Sequence, residues 1–222
     1  MTQFIVSLLV FLALHSVPAI PAIRQKLVKT LGRRTYLILY SLASLAALGW
    51  VFHAALRLDY VELWSPEPWQ AWFPIVLSPL AFFLLVAGLI SPNPVSISFR
   101  RGDNQPGAIV SITRHPVLWG FFLWAVGHVI ANGDLRSLIL FGVLALFAVF
   151  GIVMTERRNK LNPLRDPTSV IPFAAVLRGQ TRLRTDTAML VAFIISAALT
   201  SWLLLGGHAV LFGADPLAMA GV

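Results

Sequence analysis

Four histidines in or at the edges of strongly apolar stretches are the residues of this chain best suited to chemistry. They are His15, His53, His115 and His128. An imidazole is costly in hydrocarbon, so a histidine within a membrane span usually faces the interior of a helix bundle and marks a functional site. The chain has no cysteine, which excludes thiolate ligands and disulfides. A hydrogen bond between helices is the structural alternative for each histidine taken singly.

Aromatic and small residues accompany two of these histidines at helical spacing. Phe121, Trp124 and His128 follow one another at intervals of three and four residues, so they share one helix face. Gly49 and His53 are also four residues apart, and a glycine lets a flat group approach the backbone. An aromatic wall, a small-residue wall and an imidazole together suit a porphyrin, since imidazole is a common haem-iron ligand. Ordinary helix packing explains the same stripes.

Depth along the predicted helices limits which histidines can share one metal. His115 and His128 are thirteen residues apart on one helix, roughly 20 Å along its axis, so they cannot bind the same iron. His53 and His128 lie near the outer ends of their helices, whereas His15 lies deeper. Depth alone therefore slightly favours His53 with His128.

Arg114 and His115 open the predicted fourth helix, directly before Pro116. A helix N-terminus attracts anions, and arginine can bind carboxylate or phosphate in a bidentate manner. These two residues could therefore contact an anionic part of a cofactor. They could equally cap the helix and anchor it to lipid headgroups.

The composition defines the elements that hold these residues. Of 222 residues, 58% are hydrophobic and 12% charged, whereas soluble domains carry about 25% charged residues. The chain must therefore place most of its surface against lipid. We expect an all-α polytopic bundle, formed by residues 1–222 as a single domain, with about six transmembrane helices of roughly 20 residues each. The predicted spans are residues 3–22, 36–57, 73–91, 116–132, 135–155 and 187–212.

Positive charge is concentrated in alternate loops. Segments 23–35, 92–115 and 156–186 contain fifteen of the seventeen lysine and arginine residues. Because such loops stay in the cytoplasm, both termini are predicted to be periplasmic, in a bacterial inner (plasma) membrane. The net charge of +8 is then an orientation signal, and the expected partner is the lipid bilayer rather than nucleic acid.

Several short motifs occur from the first span through the fourth span to a later Ile-Pro-Phe segment. They are Leu14-His15-Ser16, Ile112-Thr113-Arg114-His115-Pro116-Val117-Leu118-Trp119-Gly120, Leu123-Trp124, Gly127-His128, Asn132-Gly133 and Ile171-Pro172-Phe173. In these motifs the sequence resembles the NnrU family of membrane proteins.

The resemblance implies an inner-membrane protein linked to denitrification, with components of nitrogen-oxide respiration as possible partners. The related cis-zeta-carotene isomerases are membrane haem b enzymes, which implies haem b here as well. Carried over by motif, the iron ligands are His15 and His128, with His53 as the substitute. Redox sensing, electron transfer and haem-dependent cis–trans isomerisation of a polyene all stay open, as does a non-enzymatic membrane scaffold.

Two departures from known motifs narrow these options. The isomerases have a cysteine near the helix-four ligand, whereas residues 124–127 here are Trp-Ala-Val-Gly, so ligand exchange through sulfur is excluded. The Arg-His-Pro element at 114–116 also resembles membrane methyltransferases that modify isoprenylcysteine or phospholipid amines. Their tyrosine is missing from residues 117–120, so the methyltransferase interpretation ranks below the others.

Overall fold

Helices make up the fold of the chain. The computed structural model describes residues 1–17, 20–100, 105–162 and 168–222, and within these ranges the only β pairing is an isolated bridge between Glu62 and Asp134. The predicted all-α class is confirmed. The main helices are α1 (Thr2–Ser16), α2 (Pro21–Leu31), α3 (Arg33–Leu56), α4 (Pro68–Ile90), α5 (Pro116–Asn132), α6 (Leu135–Arg158), the short α7 (Ala174–Leu177), α8 (Thr187–Trp202), the short α9 (His208–Phe212) and α10 (Pro216–Met219).

Four helical stretches of the described chain are long and apolar enough to cross a bilayer. They are α3, α4, α6 and residues 187–212, the last of which contains α8 and α9. α5 is apolar but shorter, with 17 residues, and its bounds coincide with the predicted fourth span. By length and composition the described helices amount to four spans, or five if α1 and α2 together form one bent span. About six were predicted, and the remaining one is α5, which is near the lower limit for a crossing.

The predicted first span, residues 3–22, is wrong in its second half. α1 ends at Ser16, residues 18 and 19 lie outside the described residues, and α2 begins at Pro21, running through most of the predicted loop 23–35. Proline suits the first position of a helix, because the N–H that it lacks would be unpaired there. The axes of α1 and α2 differ by 83°, so the apolar stretch is divided between two helices.

Residues 1–61 form one compact unit. Both α1 and α2 pack against α3. Apolar side chains at helical spacing on α1 and small side chains on α3 supply the buried surface, as is common where membrane helices pack closely. The buried residues include Phe4, Leu8, Phe11, Ala47, Val51 and Ala54.

Residues 62–222 form a second compact unit. In it α4 packs against α5 and α8, and α5 packs against α6. A Cβ atom added at Gly120 of α5 would lie 2.7 Å from the carbonyl oxygen of Ala81 in α4, so the absence of a side chain permits this close approach. α5 and α6 are joined through Gly133, which has a left-handed φ of 66°.

The connecting segments of this second unit gather at its two ends. At the end where α5 begins, the amide of Arg114 donates a hydrogen bond of 2.8 Å to the carbonyl oxygen of Ser169. At the end where α5 stops, the amide of Trp64 donates to the carbonyl oxygen of Gly133. The loops predicted to be inner and outer therefore lie at opposite ends of this unit.

Candidate functional site

His128 lies in the last turns of α5, within an aromatic environment. Its ring centre is 4.9 Å from that of Trp124 and 4.8 Å from that of Phe141 in α6. Its Nδ1 atom lies 2.8 Å from the carbonyl oxygen of Trp124. Because a carbonyl oxygen can only accept, Nδ1 carries the proton and Nε2 keeps its lone pair. Among the described residues none forms a hydrogen bond to that Nε2.

His15 repeats this arrangement in the first unit. Its Nδ1–H donates to the carbonyl oxygen of Phe11 at 2.8 Å, and the two ring centres are 4.3 Å apart. The ring of Tyr40 in α3 lies edge-on at 5.9 Å. Both histidines assigned as iron ligands by the resemblance thus follow an aromatic residue by four positions and donate Nδ1–H to its carbonyl group. In metal sites this second hydrogen bond orients the ligating imidazole.

His53 and Gly49 lie on an exposed face of α3. No atom of the structure lies within 4 Å of a Cβ added at Gly49. His53 is thirteen residues beyond Tyr40 on the same helix, about 20 Å along its axis, and Tyr40 is the residue whose ring contacts His15. His15 and His53 therefore lie at different depths of the first unit and cannot ligate one iron together.

Phe121 and Trp124 differ in their surroundings although they share a face of α5. Trp124 is partly buried, and its ring meets both His128 and Phe141 edge-on or tilted. Phe121 is 45% exposed. In the second unit the aromatic wall beside His128 therefore consists of Trp124 and Phe141, and Phe141 is a member that helical spacing within one helix could not indicate.

His208 is a further histidine near this site that was not selected from the sequence. It begins α9, inside the predicted span 187–212, and its ring centre lies 6.4 Å from that of His128 with an angle of 27° between the planes. The signal was available, since a histidine within a long apolar stretch is a candidate for function by the same rule that selected the other four. The two preceding glycines also mark an interruption of the helix.

A polar cluster surrounds the beginning of α5. The Nη1 atom of Arg114 donates to both carboxylate oxygens of Glu156 at 2.9 and 2.7 Å. The imidazole of His115 is fully buried, with Nε2 2.9 Å from the Oε1 atom of Glu156 and Nδ1 2.8 Å from the hydroxyl oxygen of Ser96. Arg114 also donates to the hydroxyl and carbonyl oxygens of Thr168.

This cluster joins distant parts of the second unit rather than exposing charge. The Arg114 side chain is 8% exposed and contacts internal acceptors, so it links parts of this unit and does not extend outward as a headgroup anchor would. Glu156, the only acidic residue of α6, was not selected from the sequence. His115 and His128 lie thirteen residues apart on α5, about 20 Å along its axis, so the polar cluster and the aromatic site occupy opposite ends of that helix.

Comparisons with known proteins agree with the motifs that surround these residues. The model of the NnrU protein family matches residues 3–216. The chain is 26% identical over 191 residues to the chloroplastic 15-cis-zeta-carotene isomerase of Zea mays, and 27% identical over 197 residues to that of Arabidopsis thaliana. These matches cover 80% and 81% of the chain but 51% of each relative, so the chain spans about half the length of these curated relatives. No solved structure matches significantly.

The fold and the match together define an apolar, helical membrane protein. The family model covers nearly the whole chain. The chain belongs to the NnrU family.

Proposed function

We propose that this NnrU-family protein binds haem b among its membrane helices and that the Nε2 atom of His128 would hold the iron. The supporting observation is the hydrogen bond from Nδ1 of His128 to the carbonyl oxygen of Trp124, which leaves the Nε2 lone pair available. Metal-ligating histidines usually have their second nitrogen held in this way. Haem iron is commonly held by such an imidazole.

The residues around His128 also fit the chemistry of a haem. Trp124 and Phe141 present aromatic surface beside the imidazole, and a porphyrin is a flat apolar group. When bound, haem would supply one-electron chemistry, while the hydrogen bond to the carbonyl oxygen of Trp124 orients the imidazole. His15, with the same hydrogen-bond pattern, is the second ligand implied by the resemblance, and His53 is its substitute. Both assignments stay predictions.

A polyene cis–trans isomerase is the catalytic function that we favour. Two relatives are named 15-cis-zeta-carotene isomerase, and such a reaction rearranges a double bond without net change in atoms or electrons. The test is to incubate proteoliposomes, oxidised and reduced, with 15-cis-zeta-carotene and to separate the isomers by chromatography. Conversion that is lost in His128→Ala supports this activity. Equal isomer ratios with and without protein, in both redox states, refute it.

The cellular setting that we propose is the inner membrane of a denitrifying bacterium, with periplasmic termini. It rests on the NnrU resemblance and on the basic residues of alternate loops. Deleting the gene should slow anaerobic growth on nitrite but leave aerobic growth unchanged. A tag at either terminus should react with a membrane-impermeant reagent in intact spheroplasts. Unchanged growth on nitrite contradicts the role in denitrification, and a tag that reacts only after lysis contradicts the periplasmic termini.

The experiment on haem binding compares the wild-type protein with variants of His128 and His115, all purified in detergent. Wild-type protein from haem-replete cells should show the low-spin absorption spectrum of haem b, and His128→Ala should lose it. His115→Gln is the matched control, because it changes a histidine of the same helix about 20 Å away and should keep the spectrum. If instead the histidines only hydrogen-bond between helices, wild type is colourless and His128→Gln keeps both stability and function.

A further inference from the structure

His128 and His208 come together inside the second unit from two separate elements. His128 belongs to α5, and His208 is the first residue of α9. Their ring centres are 6.4 Å apart and their planes differ by 27°. The ring of Phe212 lies 5.0 Å from that of His208, so both imidazoles have aromatic neighbours.

Both imidazoles donate a hydrogen bond through Nδ1, so both have Nε2 as the remaining nitrogen. The Nδ1–H of His208 donates to the carbonyl oxygen of Ala214 at 2.7 Å, as that of His128 donates to the carbonyl oxygen of Trp124. Each Nε2 therefore carries a lone pair, and in the described part of the chain neither receives a hydrogen bond. Two imidazoles that both present acceptor nitrogens cannot satisfy each other without a proton or a metal ion.

The backbone is interrupted immediately before His208. The helix that begins with α8 widens to a π-helical turn over Leu203–Gly207, within which Gly206 has a φ of 113°. A Cβ atom added at Gly207 would lie 2.8 Å from the ring of Trp202, so both glycines are required by this turn. π-Helical turns occur frequently at functional sites, and this one determines where His208 enters the bundle.

Two imidazoles match a haem better than a bare metal ion. Zinc needs three or four protein ligands, and no group of three potential ligands from His, Cys, Asp and Glu occurs among the described residues. Haem needs only two, since the porphyrin supplies four nitrogens. A metal–nitrogen bond is about 2 Å long, and the nitrogen lies about 1 Å from the centre of its ring. Two imidazoles that bind one iron from opposite sides therefore have ring centres roughly 6 Å apart, close to the 6.4 Å between the rings of His128 and His208.

We propose that His208 is the second axial ligand, opposite His128, of the haem whose binding is proposed above. This inference rests on that function and assigns the ligand within one unit of the chain. It differs from the assignment implied by the resemblance, in which His15 takes that position.

Spectra of the purified full-length protein separate the two assignments. His208→Ala should retain haem through His128 but change from low-spin six-coordinate to high-spin five-coordinate iron, and added imidazole should restore the low-spin spectrum. His15→Ala should leave the spectrum unchanged. If His208→Ala does not fold, His208→Met replaces it, because a thioether also ligates haem iron and gives a His/Met electron paramagnetic resonance spectrum distinct from the His/His form.

A backbone variant tests the same inference without removing the imidazole. Gly206→Ala should strain the turn, since alanine disfavours a φ of 113°, and should increase the high-spin fraction several-fold. Gly142→Ala in α6 is the control, because no atom lies within 4 Å of the added Cβ, and its spectrum should match wild type.

The outcomes distinguish the inference from the function on which it depends. Haem-free wild-type protein that does not take up haemin overturns both. Low-spin haem that is lost in His128→Ala but unchanged in His208→Ala and His208→Met overturns only the inference. Loss of the low-spin spectrum in His15→Ala, with His208→Ala unchanged, assigns the position to His15.

Discussion

The carboxylate of Glu156 receives two hydrogen bonds from the guanidinium group of Arg114, across 42 residues of sequence. It also meets the buried imidazole of His115. These contacts hold the C-terminal end of α6 against the start of α5. Arg114 also holds the loop residue Thr168 there, by a hydrogen bond to its hydroxyl oxygen. The end of the second unit opposite the aromatic site is therefore held by a charged network that is largely buried.

Removing Glu156 should destabilise the protein more than removing an exposed acid. Glu156→Ala leaves the guanidinium of Arg114 buried without its carboxylate, which should cost about 3 kcal/mol, the lower end for breaking buried pairs because Glu156 is partly exposed. The measurement is thermal unfolding in detergent, followed by tryptophan fluorescence. Asp59→Ala, at an exposed position, is the control and should change stability little.

Replacing both members of that pair should recover part of the lost stability. In Arg114→Met with Glu156→Leu, no buried charge is left unpaired, and apolar pairs of similar volume often equal a buried ion pair. The double variant should therefore melt at a higher temperature than Glu156→Ala. A double variant that melts lower would show that the other acceptors of Arg114 matter more than Glu156.

Gly120→Ala should weaken the packing of α5 on α4. The added methyl group would lie 2.7 Å from both a backbone oxygen of Ala81 and the Cγ atom of Leu85, so the helices must separate. We expect a loss of about 1–3 kcal/mol, as for other overpacked sites, measured by the same unfolding assay. Gly142→Ala is the control and should be at least as stable as wild type, because alanine favours a helix more than glycine does; an equal loss in both variants would show that the contact with α4 is not the cause.

Asp134 should contribute to stability as the N-cap of α6. Its side chain accepts a hydrogen bond of 3.1 Å from the amide of Ser137, and Asp134→Ala should cost about 1 kcal/mol. Asp134→Asn retains an acceptor at the same place and should lose much less. Equal melting temperatures for the two variants would exclude capping as the source of the effect.

The sequence was sufficient to predict the helical bundle, and the reason is physical. Long apolar stretches bounded by charged or turn residues leave few alternatives to membrane helices, so α3, α4, α5 and α6 were predicted within a few residues at most boundaries. The end of α1 was not predicted correctly, because Ile20 and Pro21 continue the apolar composition although a new helix begins there.

The pairing of side chains across helices required the structure. Helical spacing places Trp124 beside His128, since both belong to α5, but it contains no information on Phe141 or His208, which come from α6 and α9. The contact made by Glu156 could not be predicted from helical spacing either. Its partner Arg114 is 42 residues away, and only the packing of α5 on α6 brings them together.

The haem content of the purified wild-type protein tests the main proposal most directly. The protein would be expressed in haem-replete cells, extracted in mild detergent, titrated with haemin and assayed by the pyridine haemochrome method against protein concentration. We expect saturation near one haem b per chain, with a low-spin spectrum. A well-folded protein that retains no haem once the unbound haemin has been removed would contradict haem binding at His128.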